Sequence, residues 1–374
     1  MGARMKAVFL SHTVEGPTFR VGSHHLAREF AIRGWTVAHV STSYSPLHIV
    51  RRRPVDRVRF ALARSGPRFD EYGVLHVVPW SPLPLSLSQA RREMRRVLPR
   101  IGFGDADYVL VDQPLLAAAI GGASGARIVY RPTDSYFGEP ELTRQRWLCE
   151  RSDGIVATSS AVLLALGSAA SGIPHLILPN GVEYSRFRST ELTGRSGLVY
   201  VGALDERFDW DAVRAIALAV PGETVTLAGP LPRSVPDLPN NVRLLGGVPY
   251  SSVPDLLRSA RVGLLPFNDS PLNIGRSPMK YYEYAAAGLA ILARATSELS
   301  SRSAGEAYLY ESLEQAAVQA RRTVEKFGDR EASQNIEMAR LHDWSEQSKK
   351  LASFLTSLPE RVAGTGQMGA PDIL

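Results

Sequence analysis

Ser277, Lys280 and Glu283 are spaced so that they could hold a phosphate with a hydroxyl-rich group beside it. They lie in Ser277-Pro278-Met279-Lys280-Tyr281-Tyr282-Glu283-Tyr284-Ala285-Ala286-Ala287-Gly288, which reads as the start and body of one helix. Ser277 suits the N-cap, because its hydroxyl can accept from an unpaired first-turn N–H, and Pro278 suits the next position, where no donor is needed. Gly288 can close the helix in a left-handed turn. The free N–H groups and partial positive charge of a helix start attract anions. Lys280 adds a full charge, and Glu283 lies three residues on along the same face. An ordinary capped surface helix has the same pattern, so the segment by itself leaves both readings open.

The elements that must position these residues alternate between strand and helix. Lys6-Ala7-Val8-Phe9-Leu10-Ser11-His12 predicts a buried parallel strand, followed by a glycine-punctuated loop (Gly16, Pro17, Gly22), a helix over Ser23 to Arg33 and a strand over Thr36 to Ser41. No G-x-G-x-x-G is present at this turn, so the dinucleotide fingerprint is not met. Further strands are expected at Val74–Val78, Tyr108–Val111, Arg127–Tyr130, Gly154–Thr158 and His175–Leu178, the last running into the turn Pro179-Asn180-Gly181. A second alternating series begins at Leu198. Its strands fall at Leu198–Val201, Thr224–Ala228, Val242–Leu245, Gly263–Pro266 and Ala290–Leu292, with helices near 210–219, 252–259 and 278–287. The pattern argues two doubly wound α/β domains with parallel sheets, whose ligands sit beyond the strand carboxyl ends in facing crevices. The expected divisions are a first domain over 1–182, a linker over 183–197, a second domain over 198–342, a closing helix over 343–360 and a disordered tail over 361–374.

A chain of 374 residues has room for two such cores. Its single cysteine, Cys149, excludes an intramolecular disulfide and a multi-cysteine metal site. No stretch reads as a signal peptide or a membrane-spanning helix. The net charge of +6 is concentrated in one segment. Residues 51–100 hold twelve arginines against Asp56, Asp70, Glu71 and Glu93. Within that segment an apolar loop, Pro79 to Leu87 with Trp80, leads into a helix carrying Arg91, Arg92, Arg95 and Arg96. A basic helix beside a Trp-bearing apolar loop has the composition of a contact with an anionic membrane surface; a loop packed on the core beside a solvated arginine face is the alternative. Aromatics interleaved for base stacking are lacking, which argues against nucleic acid.

Read in order, the second half resembles a GT-B glycosyltransferase. The resemblance is carried by Tyr200-Val201-Gly202-Ala203-Leu204, Leu227-Ala228-Gly229-Pro230, Asn241 to Gly246, Val248-Pro249-Tyr250, Gly263 to Phe267, the Ser277–Gly288 helix and Asp343-Trp344-Ser345. Within that fold the chain resembles the xanthan-pathway β-glucuronosyltransferase over roughly residues 6–330. Leu204, Phe267 and Glu283 stand where that enzyme has methionine, tyrosine and glutamine. The resemblance implies that Ser277, Met279 and Lys280 grip the nucleotide diphosphate and that Glu283 meets the ribose. It places Gly202, Leu204 and Phe267 around the same donor; because Ala203 stands where the usual arginine follows the first glycine, the phosphate charge is expected to fall to Lys280, the helix start and Arg207 or Arg276. It further implies that the closing helix crosses back onto the first domain, and that Val129-Tyr130-Arg131-Pro132-Thr133-Asp134 ends in the catalytic aspartate.

The implied chemistry is sugar transfer from a UDP-sugar donor, with no cofactor and no metal, to a glycan or lipid-diphosphate-linked acceptor. The leaving diphosphate must be stabilised, and in an inverting reaction the acceptor hydroxyl must lose a proton, here to Asp134. A helix N-cap or a salt bridge to Arg131 is the structural alternative for Asp134. His12, Arg20 and Gly22, at and after the first strand, are expected on the acceptor side. Gly275 stands where retaining members of the fold carry a second glutamate, which favours inversion. The D-x-D pairs Asp105/Asp107 and Asp209/Asp211 are read as structural rather than metal-binding. The place of action is expected in the cytoplasm, at the inner membrane face. The competing readings are a retaining or natural-product glycosyltransferase with a soluble acceptor, and a non-catalytic nucleotide-sugar-binding protein.

Overall fold

Unbroken apolar runs such as Ala7 to Leu10, every residue of which is fully buried, form strands covered on both faces, as parallel sheets require. A computed structural model of the protein describes residues 4–14, 20–47, 54–85, 87–302 and 307–360. The chain divides into two compact units, Met1–Leu178 with Ser348–Leu374, and Pro179–Gln347.

The first unit contains β1 (Lys6–Ser11), β2 (Thr36–Ser41), β3 (Arg68–Phe69), β4 (Val74–Val77), β5 (Tyr108–Val111), β6 (Arg127–Tyr130), β7 (Gly154–Ala157) and β8 (His175–Ile177). They lie in the order β3-β4-β2-β1-β5-β6-β7-β8. Every pairing is parallel except that of β3 with β4. The second unit contains β9 (Leu198–Val201), β10 (Val225–Ala228), β11 (Val242–Gly246), β12 (Val262–Leu265), β13 (Ala290–Arg294) and β14 (Ala307–Tyr310). Their order is β11-β10-β9-β12-β13-β14, all parallel. This is the doubly wound order, with its switch point between β9 and β12; in the first sheet the switch lies between β1 and β5.

The fold departs from the sequence reading where polar composition hides an element. The arginine-rich stretch after residue 44 contains the helix Pro54–Ser65. The helix Asp329–Arg340 is polar along most of its length and buries Ala332, Asn335 and Ala339. Residues 183–197, expected as a linker, contain the helix Tyr184–Phe187, and Phe187 is fully buried in a core of the second unit. The helix Trp344–Ser357 begins in the second unit and ends in the first. There Arg33 Nε donates to Ser348 Oγ at 2.9 Å and Arg127 Nε to the Pro359 carbonyl at 3.0 Å. The tail over 361–374, and Gly16 and Pro17 of the first loop, lie outside the described residues. No helix among the described residues is long and apolar enough to cross a membrane.

The apolar loop before the arginine helix is only partly a surface feature. Trp80 and Leu87 are 54% and 46% exposed, but Leu85 is buried. Arg91, expected on the solvated face, is itself buried and donates from Nη1 to the Leu85 carbonyl at 2.8 Å. Arg92 and Arg96 remain exposed.

Candidate functional site

In the second unit the helix Met279–Ala286 starts beyond the carboxyl end of β12. Pro278, not Ser277, is its N-cap, and no side chain caps the helix start. Ser277 has another role. Its hydroxyl accepts from the Asn180 N–H at 3.0 Å, and its carbonyl accepts from Asn180 Nδ2 at 2.7 Å. The expected cap is lost because the Pro179-Asn180-Gly181 turn takes up both polar groups of Ser277. The helix start is thereby held in place with no capping bond from its N-cap residue, and a helix N-terminus favours an anion. Tyr284, fully buried, pins the body of the helix to the sheet by accepting from the Val201 N–H at 3.1 Å.

Lys280 projects over the end of β9. A Cβ on Gly202 would lie 2.2 Å from Lys280 Cε and 2.6 Å from Nζ, so glycine is what allows the ammonium to rest there. Lost hydration lowers the Lys280 pKa to about 8, and Arg276 adds to the effect while Glu283 opposes it. Burial raises the Glu283 carboxyl to about 7 against the pull of Lys280, with Glu183 adding to the rise. Both groups are therefore poised to change charge near neutrality, as is common at functional sites. Arg276 lies over the Phe267 ring at 5.7 Å to the centroid. Arg207 is engaged by Asp205, through Nε to Oδ1 at 3.0 Å and through Nη2 to Oδ2. Leu204 and Phe267 are 3% and 6% exposed and belong to the apolar cores. Of the residues expected on the donor, Gly202, Lys280, Glu283 and Arg276 thus come together. Ser277 and Phe267 support them, Leu204 is a core residue, and Met279 is half-buried in the first turn. Sequence reasoning missed Asn180, and it missed the cluster in which Tyr250 donates to Glu183 Oε2 at 3.1 Å beside Arg186.

In the first unit the ends of β1, β5 and β6 gather a second polar group of residues. Asp112 and Arg131 directly follow β5 and β6 and form a buried ion pair of 2.8 Å, with side chains 4% and 3% exposed. Arg131 is therefore committed to Asp112, and the alternative of a bridge from Arg131 to Asp134 is not realised. Asp134 is half-buried, lies in the loop ahead of the helix Glu141–Cys149, whose N-cap is Pro140, and accepts from Thr133 Oγ1 at 3.1 Å. His12 is exposed at the end of β1, its carbonyl accepting from Arg59 and, at 3.4 Å, from Thr42 Oγ1. Crowding of its ring by protein atoms lowers its pKa, against the fields of Asp112 and Asp134. Tyr136 donates to Gln113 Oε1 at 2.8 Å, and burial together with the charges of Asp134 and Asp112 pushes its phenol up. Gly22 opens the first helix and is buried, while Arg20 precedes it half-buried. Asp112, Gln113 and Tyr136 carried no motif and were not anticipated.

The D-x-D pairs serve the scaffold. Lys6 Nζ donates to both Asp105 oxygens at 2.7 Å, Asp107 accepts from the Lys6 N–H, and Asp209 caps its helix by accepting from the Ala212 N–H at 2.8 Å. No group of three or more metal-ligating side chains occurs among the described residues.

Residues 207–351 match the "Glycosyl transferase-like" family model. Over 151 residues the chain is 28% identical to the "Putative teichuronic acid biosynthesis glycosyltransferase TuaH" of Bacillus subtilis (strain 168). That match takes in 36% of this chain and 37% of the relative's length. Among solved structures, sucrose-phosphate synthase from Thermosynechococcus elongatus superposes with a TM-score of 0.73 at 14% identity, covering 95% of this chain and 99% of that one. HepE of Anabaena in complex with UDP and glucose gives 0.72 at 15% identity, covering 95% and 100%. The protein has the GT-B fold of the glycosyltransferases, with the glycosyltransferase-like family match in residues 207–351.

Proposed function

We propose that the protein is an inverting, metal-independent glycosyltransferase that moves a sugar from UDP to a hydroxyl of a glycan or lipid-diphosphate-linked acceptor. One observation carries this reading: Lys280 rests on Gly202 at the switch point of the second sheet, above an uncapped helix start, with Glu283 one turn further on. This is a grip for a diphosphate with a ribose beside it. The HepE structure with UDP and glucose and the name of the Bacillus relative support the same class of donor and of pathway. The resemblance to the xanthan-pathway enzyme favours glucuronic acid as the sugar.

In the proposed reaction the acceptor oxygen attacks the anomeric carbon. The bond from that carbon to the diphosphate breaks, and UDP leaves with its new charge met by Lys280 and Arg276. The acceptor proton passes to Asp134, which lies with His12 and Tyr136 beyond the strand ends of the first unit. A membrane-borne acceptor accords with the exposed Phe69, Trp80 and Leu87 among exposed arginines on the first unit.

A panel of UDP-sugars, scored by UDP release and by the anomeric configuration of the product, tests the reading. Asp134→Asn should lose transfer by about 10²–10⁴-fold, the usual worth of a general base, while UDP still binds. Full activity of that variant removes Asp134 from the mechanism; retention of configuration removes inversion, and loss of activity in EDTA removes metal independence.

A further inference from the structure

The proposed donor site uses only the carboxyl ends of the second sheet's strands. At the opposite end, where the amino ends of β9, β12 and β13 lie, a cavity of about 270 Å³ opens among Leu192, Arg195, Arg261, Phe327, Asp329 and Ala332. Two half-buried guanidinium groups line it, and both are held by neutral oxygens. Arg195 donates from Nη1 to the Ala287 carbonyl and from Nη2 to Ser189 Oγ, each at 2.6 Å. Arg261 donates from Nη2 to the Phe327 carbonyl at 3.0 Å. Among the described residues neither has a carboxylate within ion-pair distance. The Arg195 Nε is buried with no hydrogen-bond partner. Arg258 adds further positive field at Arg195, which Asp329 only partly offsets.

Arg195, held by the Ala287 and Glu191 carbonyls and by Ser189 Oγ, brings mainly its uncompensated charge, whereas Arg261, held at Nη2, presents its other N–H groups to an anion at little cost in side-chain entropy. The floor of Leu192, Phe327 and Ala332 is apolar, and Asp329 at the rim can accept from hydroxyl groups. The cavity is at the small end of ligand-binding clefts, which fits a compact ligand better than a nucleotide. We infer that this cavity is a second ligand site, separate from the donor grip, for a small phosphate-bearing molecule of about the size of a sugar phosphate.

The test uses the full chain carrying Lys280→Ala, so that the phosphate grip of the donor site is disabled. Glucose 1-phosphate and inorganic phosphate are titrated separately by calorimetry. Saturable binding of one molecule per chain is expected, and adding Arg261→Gln should weaken it by about tenfold or more. Glutamine keeps an N–H for the Phe327 carbonyl, so the melting curve should change little. Ala332→Leu narrows the cavity without altering either charge and must also weaken binding, which keeps the test open if Arg261→Gln folds poorly. Tighter binding of glucose 1-phosphate makes the sugar phosphate the ligand, and equal binding makes it the free ion. The inference falls if neither binds below about 1 mM, or if binding is indifferent to both cavity variants.

Discussion

Gly202→Ala should disable donor use although residue 202 would donate no group to the donor. The new Cβ would sit 2.2 Å from Lys280 Cε, where ordinary contact begins at 3.4 Å. The backbone there has φ of +154°, so alanine also brings strain of about 1–3 kcal/mol. Set against a stability of about 5–15 kcal/mol for an ordinary domain, that leaves the chain folded. The neighbour that must yield is the flexible end of Lys280, which has to retreat by about 1 Å or swing away. An ammonium displaced from the diphosphate forfeits a charge-assisted contact of about 2–4 kcal/mol, which corresponds to roughly 30- to 1,000-fold. Calorimetric UDP affinity and kcat/KM for UDP release should both fall in that range, close to the values for Lys280→Ala, while the denaturation midpoint shifts modestly. A folded Gly202→Ala variant that binds UDP within about threefold of the parent would refute the seating of Lys280 on Gly202.

Three further outcomes follow from the same geometry. UDP affinity should rise as pH climbs through about 7, where Glu283 ionises, and fall above about 8, where Lys280 loses its proton; in calorimetry across pH, Glu283→Gln should remove the acid limb and Lys280→Arg the alkaline limb. Arg131→Met leaves Asp112 buried without its counter-charge and should cost about 3–5 kcal/mol in urea denaturation, with much of the loss recovered when Asp112 is also made apolar. Trp80→Ala should reduce co-sedimentation with anionic vesicles at low salt without lowering thermal stability, since the ring is 54% exposed; equal sedimentation of the two proteins would remove Trp80 from any membrane contact.

The strands legible in the sequence are those covered on both faces. Ala7 to Leu10 and Tyr108 to Val111 are continuous apolar runs because each face meets a helix layer, and polar residues have no place in them. The elements that escaped notice draw their stability from tertiary contacts rather than from a visible period. Asp329–Arg340 turns little more than two alanines and one asparagine inward. Its place is fixed by a bond such as that of Asn335 Nδ2 to the Leu289 carbonyl at 2.9 Å, between residues 46 apart in the chain. Pro54–Ser65 was hidden by its arginines, and β14 is an edge strand of four residues with only Tyr310 fully buried.

The same distinction between local and distant contacts separates the two polar sites. Lys280 and Glu283 were legible because their relation is an interval of three residues on one helix, which depends on nothing beyond the helix. Asp112 with Arg131, and Glu183 with Tyr250, are 19 and 67 residues apart, and only the strand order brings them together. Ser277 shows what happens when the two scales compete. Locally its hydroxyl is suited to capping the next turn; in the fold, Asn180, 97 residues earlier, takes that hydroxyl and the carbonyl as well. On the proposed reading the exchange works in favour of ligand binding. A serine cap would have satisfied a first-turn amide from within the protein. With Ser277 turned to Asn180 and Pro278 at the N-cap, no such bond comes from the cap, which on the proposed reading leaves the helix start and the Lys280 ammonium to an external anion. The residue type that suggested a cap thus supports the site by withholding one.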